Sequence, residues 1–287
     1  MNNYILKTLA YNKQVRIFFM ENTDMIKEIC NNKNISNTLK TALGKTVSIG
    51  TLISATLKGN QRVSIKVNAS NSQHKIFADV DSMGNIRGYI SDALLNEPLD
   101  TINNLSVEEL IGDKGYIQVM KDIGMHSVFT GVTDMPYRNI VDDFSYYFKQ
   151  SEQTDTFFSV NMVYNEDNEI ILSRGIMAQL LPGAPISLID TIKEITFENQ
   201  LILSNFNDRK NFKEIPHLLF RDIEIVEQYP VQFLCGCSKE FFYPMLYSLN
   251  REELVDAYKS EKSIEIVCNV CGKKYSFSPQ EIKNLVQ

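Results

Sequence analysis

The sequence predicts an α+β protein in three parts. An N-terminal domain of α/β type, with mixed sheets and helices, is expected over residues 1–178, a helical linker over 179–229, and a small C-terminal metal-binding domain over 230–287. Three observations carry this division. The first 178 residues alternate helical and strand-like stretches. The segment Gln179-Leu180-Leu181-Pro182-Gly183-Ala184-Pro185 then ends whatever precedes it and opens a new element. Four of the five cysteines, finally, fall within the last 53 residues.

Within the first part, a helical pattern runs from Asn37 to Leu57. Strand-like segments follow at Arg62–Val67, Lys75–Val80 and Ile86–Ile90, then at Tyr116–Met120, Ser127–Thr130, Phe157–Tyr164 and Glu169–Ser173. Gly84-Asn85 and Asn165-Glu166-Asp167-Asn168 are expected hairpin turns. In the linker, Leu188, Ile192 and Ile195 repeat at helical spacing, with Ile189 widening the stripe, so one face must dock on an apolar surface. Asn and Asp breakers follow over 205–212, then the apolar stretch His217-Leu218-Leu219-Phe220 and an acidic strand-like run to Tyr229.

The tail is locally well specified. Ser238 is placed to cap a helix toward Leu249, with a kink or break at Pro244 because proline removes a backbone hydrogen bond. Asn250 caps a helix over 251–259, with Glu253 as capping-box partner and Leu249 against Leu254 as staple. Ser263–Val267 and Lys273–Phe277 read as two short strands, and Ser278-Pro279-Gln280-Glu281 starts a terminal helix.

Cys235-Gly-Cys237 and Cys268-Asn-Val-Cys271 are two close thiol pairs separated by a small insert. Each pair spans one edge of a tetrahedron, the arrangement a four-cysteine zinc site needs. Gly272 tolerates the positive φ that such a knuckle often requires. A segment this short has little core of its own, so the metal, expected as one zinc per chain, should supply most of its folding free energy. Two readings of the site stay open on the residues alone: a passive structural staple, or a redox switch in which each sulfenic acid is resolved by its neighbour.

Composition limits the function classes. With 44% hydrophobic and 22% charged residues among 287, the chain can bury a substantial core and is neither a disordered tail nor a collagen. A net charge of −6 argues against a generic binder of nucleic acid or anionic membrane. From Val231 to Gln287 seven basic residues balance seven acidic ones, which leaves no footprint for phosphates. No run approaches the ~20 apolar residues of a membrane span, and the N-terminal stretch lacks a signal-peptide core, so a cytoplasmic protein is expected.

No nucleotide, zincin or hydrolase motif is present, and His74, His126 and His217 are scattered without ligand spacing. Cys30 would be a nucleophile only with His126 beside it in space; a small buried hydrophobe is its expected role. The protein is therefore expected not to be an enzyme.

Taken together, these residues resemble the redox-regulated chaperones of the heat shock protein 33 family, also called the 33 kDa chaperonin. The cysteine spacing carries the resemblance, with Ser238 after the first pair and Tyr275-x-Phe277 after the second. So do Ala42-Leu43-Gly44-Lys45, Ala55-Thr56-Leu57-Lys58-Gly59, Gly84-Asn85-Ile86-Arg87-Gly88-Tyr89, Tyr147-Phe148 with Ser151-Glu152-Gln153, and Gln179 to Ala184. Two stretches depart from the pattern: Lys239-Glu240-Phe241-Phe242 before Pro244, and Arg174-Gly175-Ile176-Met177.

The resemblance implies an ATP-independent holdase that is inactive when reduced and zinc-bound. It further implies that oxidation joins Cys235 to Cys237 and Cys268 to Cys271, releases zinc, unfolds the tail and destabilises the linker. Apolar surface then holds unfolding client proteins, with a homodimer in the oxidised state. The alternative from another class is a nucleic-acid-binding or translation-associated protein with a structural zinc ribbon, whose binding would fall steeply with salt. No client-binding residue is assigned.

Overall fold

The structure is a computed structural model that describes residues 3–31, 35–124, 127–204 and 212–286. The chain divides into two compact units, Met1–Leu234 and Cys235–Gln287. Both helices and sheets are abundant, so the α+β class expected from the sequence is observed. Among the described residues no helix is long and apolar enough to cross a membrane.

The first unit opens with a hairpin, β1 (Tyr4–Ala10) and β2 (Val15–Glu21), then α1 (Thr23–Asn31) and α2 (Asn37–Ser54). Next come β3 (Arg62–Asn68), β4 (Lys75–Asp81), β5 (Asn85–Ile90), and the short helices α3 (Asp92–Leu95), α4 (Leu99–Asn103) and α5 (Val107–Ile111). β6 (Tyr116–Asp122), β7 (Val128–Asp134), α6 (Ile140–Ser151), β8 (Thr156–Tyr164) and β9 (Ile170–Leu180) complete the part before the expected linker.

Helix α2 is the centre of this unit. Ser36 caps it by accepting from the Leu39 amide, and nearly every residue from Leu39 to Ser54 is buried because the helix packs against strands of two sheets. One six-stranded sheet runs β5-β4-β3-β6-β7, with Gln232–Phe233 paired in parallel at the β5 edge, and shows the predicted alternation, with Val63, Ile65, Val67, Ile76, Ala78 and Val80 turned inward. The helix ends three residues before the expected Leu57, where Ala55, Thr56 and Leu57 close turns onto Leu52, Ile53 and Ser54. Both expected hairpin turns form: Gly84 takes φ +77° between β4 and β5, and Asn168 takes φ +59° between β8 and β9.

The other sheet places a strand over Ile223–Pro230, β10, at its edge in the order β10-β1-β2-β9-β8, and it corrects the expected strand Glu169–Ser173. Strand β9 runs on to Leu180 because both its faces are buried; Ile176, Met177 and Ala178 form the unbroken apolar run of a two-sided strand. On one face Phe18, Met20 and Met177 join the α2 core. On the other, Leu6, Ile17, Phe19, Ile176 and Ala178 meet residues from the expected linker.

That linker supplies α7 (Ser187–Glu198), α8 (Gln200–Ser204), α9 (Ile215–Leu219) and β10 (Ile223–Pro230), followed by β11 (Gln232–Phe233). The predicted stripe docks as expected: Ile192 is fully buried, with Leu188 and Ile195 packed beside it. Residues 179–229 belong to the first unit, and β10 pairs antiparallel with β1 from Tyr4↔Pro230 to Ala10↔Ile223, bulged between Lys7 and Thr8. Of the expected breakers over 205–212, positions 205–211 lie outside the described residues.

The second unit contains α10 (Lys239–Phe242), a 3-10 helix over Tyr243–Ser248, α11 (Arg251–Lys259), the pair β12 (Ile264–Val267) and β13 (Lys274–Phe277), and α12 (Pro279–Val286). Ser238 caps α10 through the Phe241 amide, and the predicted break falls at Tyr243-Pro244, where the helix tightens to 3-10. Asn250 caps α11 by accepting from the Glu252 amide, so the expected capping box with Glu253 is replaced by a cap one residue earlier. Ser278 and Glu281 bond reciprocally at the start of α12: the Ser278 amide donates to Glu281 Oε2 at 2.9 Å, and the Glu281 amide to Ser278 Oγ.

Candidate metal centre

The four cysteines of the tail come together. Their Sγ atoms all lie within 4.8 Å of one another, and this is the one group of three or more His, Cys, Asp or Glu among the described residues that could hold a metal ion. Two turns build it. Gly236 adopts φ +69° between Cys235 and Cys237, and Gly272 adopts φ +72° after Cys271. Around the second pair, the Cys268 amide donates to Lys273 O at 2.9 Å and the Gly272 amide to Cys268 O at 2.8 Å. Positive φ at Gly272 was legible in advance; the matching demand at Gly236 was not singled out.

Two sulfur contacts join the different pairs: Cys235 to Cys268 and Cys237 to Cys271 are each separated by 3.4 Å. A tetrahedron of sulfurs at the ~2.3 Å zinc–sulfur bond length has an edge of roughly 3.8 Å. The observed separations bracket that edge, so the donor set fits a four-coordinate ion. An all-thiolate set is soft and favours zinc over hard cations.

The thiols are not equivalent. Burial pushes the Cys235 thiol up, reinforced by hydrogen bonds with its neighbouring thiols, and burial also raises Cys271. At Cys237 burial acts in the same upward direction, but the Tyr275 hydroxyl and the other cysteines outweigh it and hold the thiol down to about 7. The Tyr275 hydroxyl lies 3.0 Å from Cys237 Sγ and also donates to Cys237 O at 3.0 Å. Sequence reasoning noted Tyr275 only as part of a motif. The signal for its role is the strand period: Tyr275 and Phe277 are the buried residues of β13 and turn to the same side.

The other candidates stay apart from this site. Cys30 is fully buried in the α2 core, with Sγ 4.0 Å from Lys40 O, while His126 lies outside the described residues. His74 bonds through Nε2 to Glu97 Oε1 at 3.0 Å and Asn71 Nδ2 at 3.1 Å, tying loops together. His217 is an exposed residue of α9.

Comparison with known proteins finds relatives along the whole chain. A curated relative from Shouchella clausii named 33 kDa chaperonin is 32% identical over 289 residues, covering 100% of this chain and 98% of its own. One of the same name from Bacillus velezensis is 30% identical, covering 99% of this chain and 98% of its own. The crystal structure of the 33 kDa chaperonin (heat shock protein 33 homolog) of Thermotoga maritima superposes with a TM-score of 0.82 at 21% identity, covering 100% of this chain and 98% of that one, and shows the shared fold. The model of the Hsp33 protein family matches residues 3–278. The chain therefore belongs to the Hsp33 family.

Proposed function

We propose that this chain is a redox-regulated, ATP-independent holdase that acts in the cytoplasm. The observation that carries the reading is the set of four sulfurs within 4.8 Å, in a unit whose buried apolar core is small and includes one of those cysteines. Cys235, Cys237, Cys268 and Cys271 are the residues that would hold zinc. When bound, zinc would keep the four sulfurs as thiolates and tie the two turns together.

Oxidation removes the donor set. One thiolate of a pair attacks peroxide: an S–O bond forms, the O–O bond breaks and hydroxide leaves, so sulfur loses two electrons and peroxide gains them. The neighbouring thiolate then displaces a second hydroxide and closes the S–S bond. Cys235 with Cys237, and Cys268 with Cys271, are the expected pairs, although 3.4 Å sulfur contacts in the folded unit also run across pairs. Within-pair partners remain tethered by one or two residues as the tail loosens, whereas cross-pair partners separate.

Loss of the donors unfolds the second unit and loosens residues 179–229. That segment already carries exposed Phe197, Leu201 and Leu218, and Ile192, Leu203 and Phe212 would add buried apolar surface on opening. Such surface recognises unfolding clients rather than phosphates, in keeping with the net charge of −6, and its association would give a homodimer in the oxidised state.

The test follows zinc release and suppression of a thermally unfolding client's aggregation in one sample of full chain, before and after peroxide at elevated temperature. Joint appearance of about one free zinc per chain and client holding, both reversed by dithiothreitol plus zinc, is the expected result. Zinc release without any gain in client holding would overturn the reading.

A further inference from the structure

Tyr275 makes two polar contacts with the same cysteine. Its hydroxyl donates to Cys237 O at 3.0 Å and sits 3.0 Å from Cys237 Sγ. The ring has two further neighbours. Its centroid lies 5.2 Å from that of Phe242, and the Lys273 ammonium lies 5.3 Å from its centre. The residue is 7% exposed, so water does not compete freely for the hydroxyl. No other cysteine of the cluster receives a comparable side-chain contact from outside the cluster among the hydrogen bonds of the described residues.

We propose that Tyr275 is a positioning residue whose hydroxyl holds the Cys237 sulfur in the cluster and lowers its reactivity toward peroxide. This deepens the redox reading above and rests on it. The physical basis is charge. Sulfur must give up electron density as it attacks the O–O bond, so a hydrogen bond donated to a sulfur lone pair is strongest before attack and weakens along the reaction. The hydroxyl therefore stabilises the resting thiolate more than the transition state and slows the step. With the sulfur deprotonated, the single hydroxyl proton is shared between Cys237 Sγ and Cys237 O, each 3.0 Å away, which keeps the donor beside the sulfur as outer-shell partners of metal-ligating residues do.

The step itself balances as written for the switch: an S–O bond forms at Cys237, the O–O bond of hydrogen peroxide breaks, and hydroxide leaves. Tyr275 neither gains nor loses a proton overall. Removing the hydroxyl leaves every atom of the step in place and changes only the energy of the sulfur lone pair.

Tyr275→Phe tests this, because it deletes the hydroxyl and keeps the ring against Phe242 and Lys273. The full-length variant and wild type are loaded with cobalt(II) and, separately, with zinc. Dimedone capture of sulfenic acid, mapped by mass spectrometry, gives the peroxide rate at each cysteine. We expect capture at Cys237 to rise about fivefold relative to Cys268, the rate equivalent of ~1 kcal/mol. The sulfur-to-cobalt charge-transfer band should move to lower energy, a change that altered packing alone does not produce. Both results are required. An unmoved band, an unchanged Cys237 rate, or equal acceleration at all four cysteines overturns the proposal. Failure of the switch reading is seen separately, as wild-type oxidation without client holding, and leaves these rates defined.

Discussion

Phe158 and Phe277 are both sealed from water, at 1% and 0% exposure, but they stand in very different surroundings. Phe158 belongs to a core built around α2 and both large sheets, extending from Ile5 to Val231. Phe277 shares its cluster with Phe242, Leu246, Leu254, Tyr275, Ile282 and the sulfur of Cys268. The first unit closes its core with side chains drawn from the whole length of its sequence. The second assembles a few aromatic and aliphatic groups around four thiols, and below roughly 70–80 residues such a core rarely holds alone. One unit is stable by burial, while on the proposed reading the other would be held by coordination, so that a chemical change at sulfur would act on one without directly unfolding the other.

The largest expected effect breaks the comparison at its weaker side. Metal removal by a tight chelator, or Cys268→Ser, should unfold residues 235–287 and leave the core before residue 179 folded. Structural zinc contributes on the order of 10–16 kcal/mol near neutral pH, more than the small core can replace. Amide hydrogen exchange resolved by segment checks this: protection should vanish in α11, β12 and β13 and persist in α2 and β3. Retained protection in the tail would mean that Phe242, Leu254 and Phe277 suffice without metal.

The next effect probes the stronger side. Arg174, fully buried, donates through Nε to Glu21 Oε2 at 2.7 Å, and the Glu21 side chain is 7% exposed. Thr23 donates to the other Glu21 oxygen through both its amide and its hydroxyl. Phe212 lies over the guanidinium at 5.2 Å and meets Tyr4 edge-on at 5.5 Å, so a residue from the expected linker covers the pair. Breaking a buried pair by removing one partner costs about 3–5 kcal/mol, whereas replacing both by apolar groups is often neutral or stabilising. Arg174→Met should therefore lower the urea midpoint of the first unit markedly, while Arg174→Met with Glu21→Leu should recover it. Equal loss in the single and double variants would show that the pair itself stabilises the unit.

The two units were also unequally legible in sequence. In the tail, local signals decided nearly everything: Ser238, Asn250, Ser278 and the paired cysteines act within a few residues, so helix starts, strands and the clustering of the four thiols could be read directly. The first unit mixes local and distant causes. The alternation of β3 and β4 was visible because one face is wet, but β9 was cut short because Ile176, Met177 and Ala178 are covered on both faces. The β1–β2 hairpin was not anticipated. Its turn holds Tyr11, Asn12 and Lys13 at φ +52°, +52° and +64°, and none of these is glycine. Helix α6 could have been found, since Ile140, Val141, Phe144, Tyr147 and Phe148 recur at helical spacing. Pairing of β10 with β1 joins positions over 200 residues apart, which no local pattern announces. At the candidate metal centre the four cysteines were plain, but the Tyr275 contact required knowing how β13 turns toward Cys237.

The smallest effect sharpens the comparison through pH, because one carboxylate in each unit moves in the opposite direction. Burial lifts Asp143 from an ordinary 3.8 to about 6, against the two backbone amides of Tyr137 and Asn139 that donate to it at 3.0 and 2.8 Å. Its folded value lies above its unfolded one, so its contribution is present below pH ~4 and is lost as pH rises through about 6. In the second unit, the Lys239 ammonium, with the Ser278 amide and hydroxyl, holds Glu281 down to about 2. Its contribution is present above the ordinary carboxylate range and is lost as pH falls toward about 2. Between pH 4 and 6 the first unit should therefore lose stability at this residue, by on the order of 1–2 kcal/mol. Asp143→Asn should flatten that slope at the expense of one amide partner, and carboxyl carbon NMR should show Asp143 and Glu281 titrating on opposite sides of pH 4. If the slope of the first unit survives in Asp143→Asn, another group is its source, and the pH contrast between the units does not arise from this buried carboxylate.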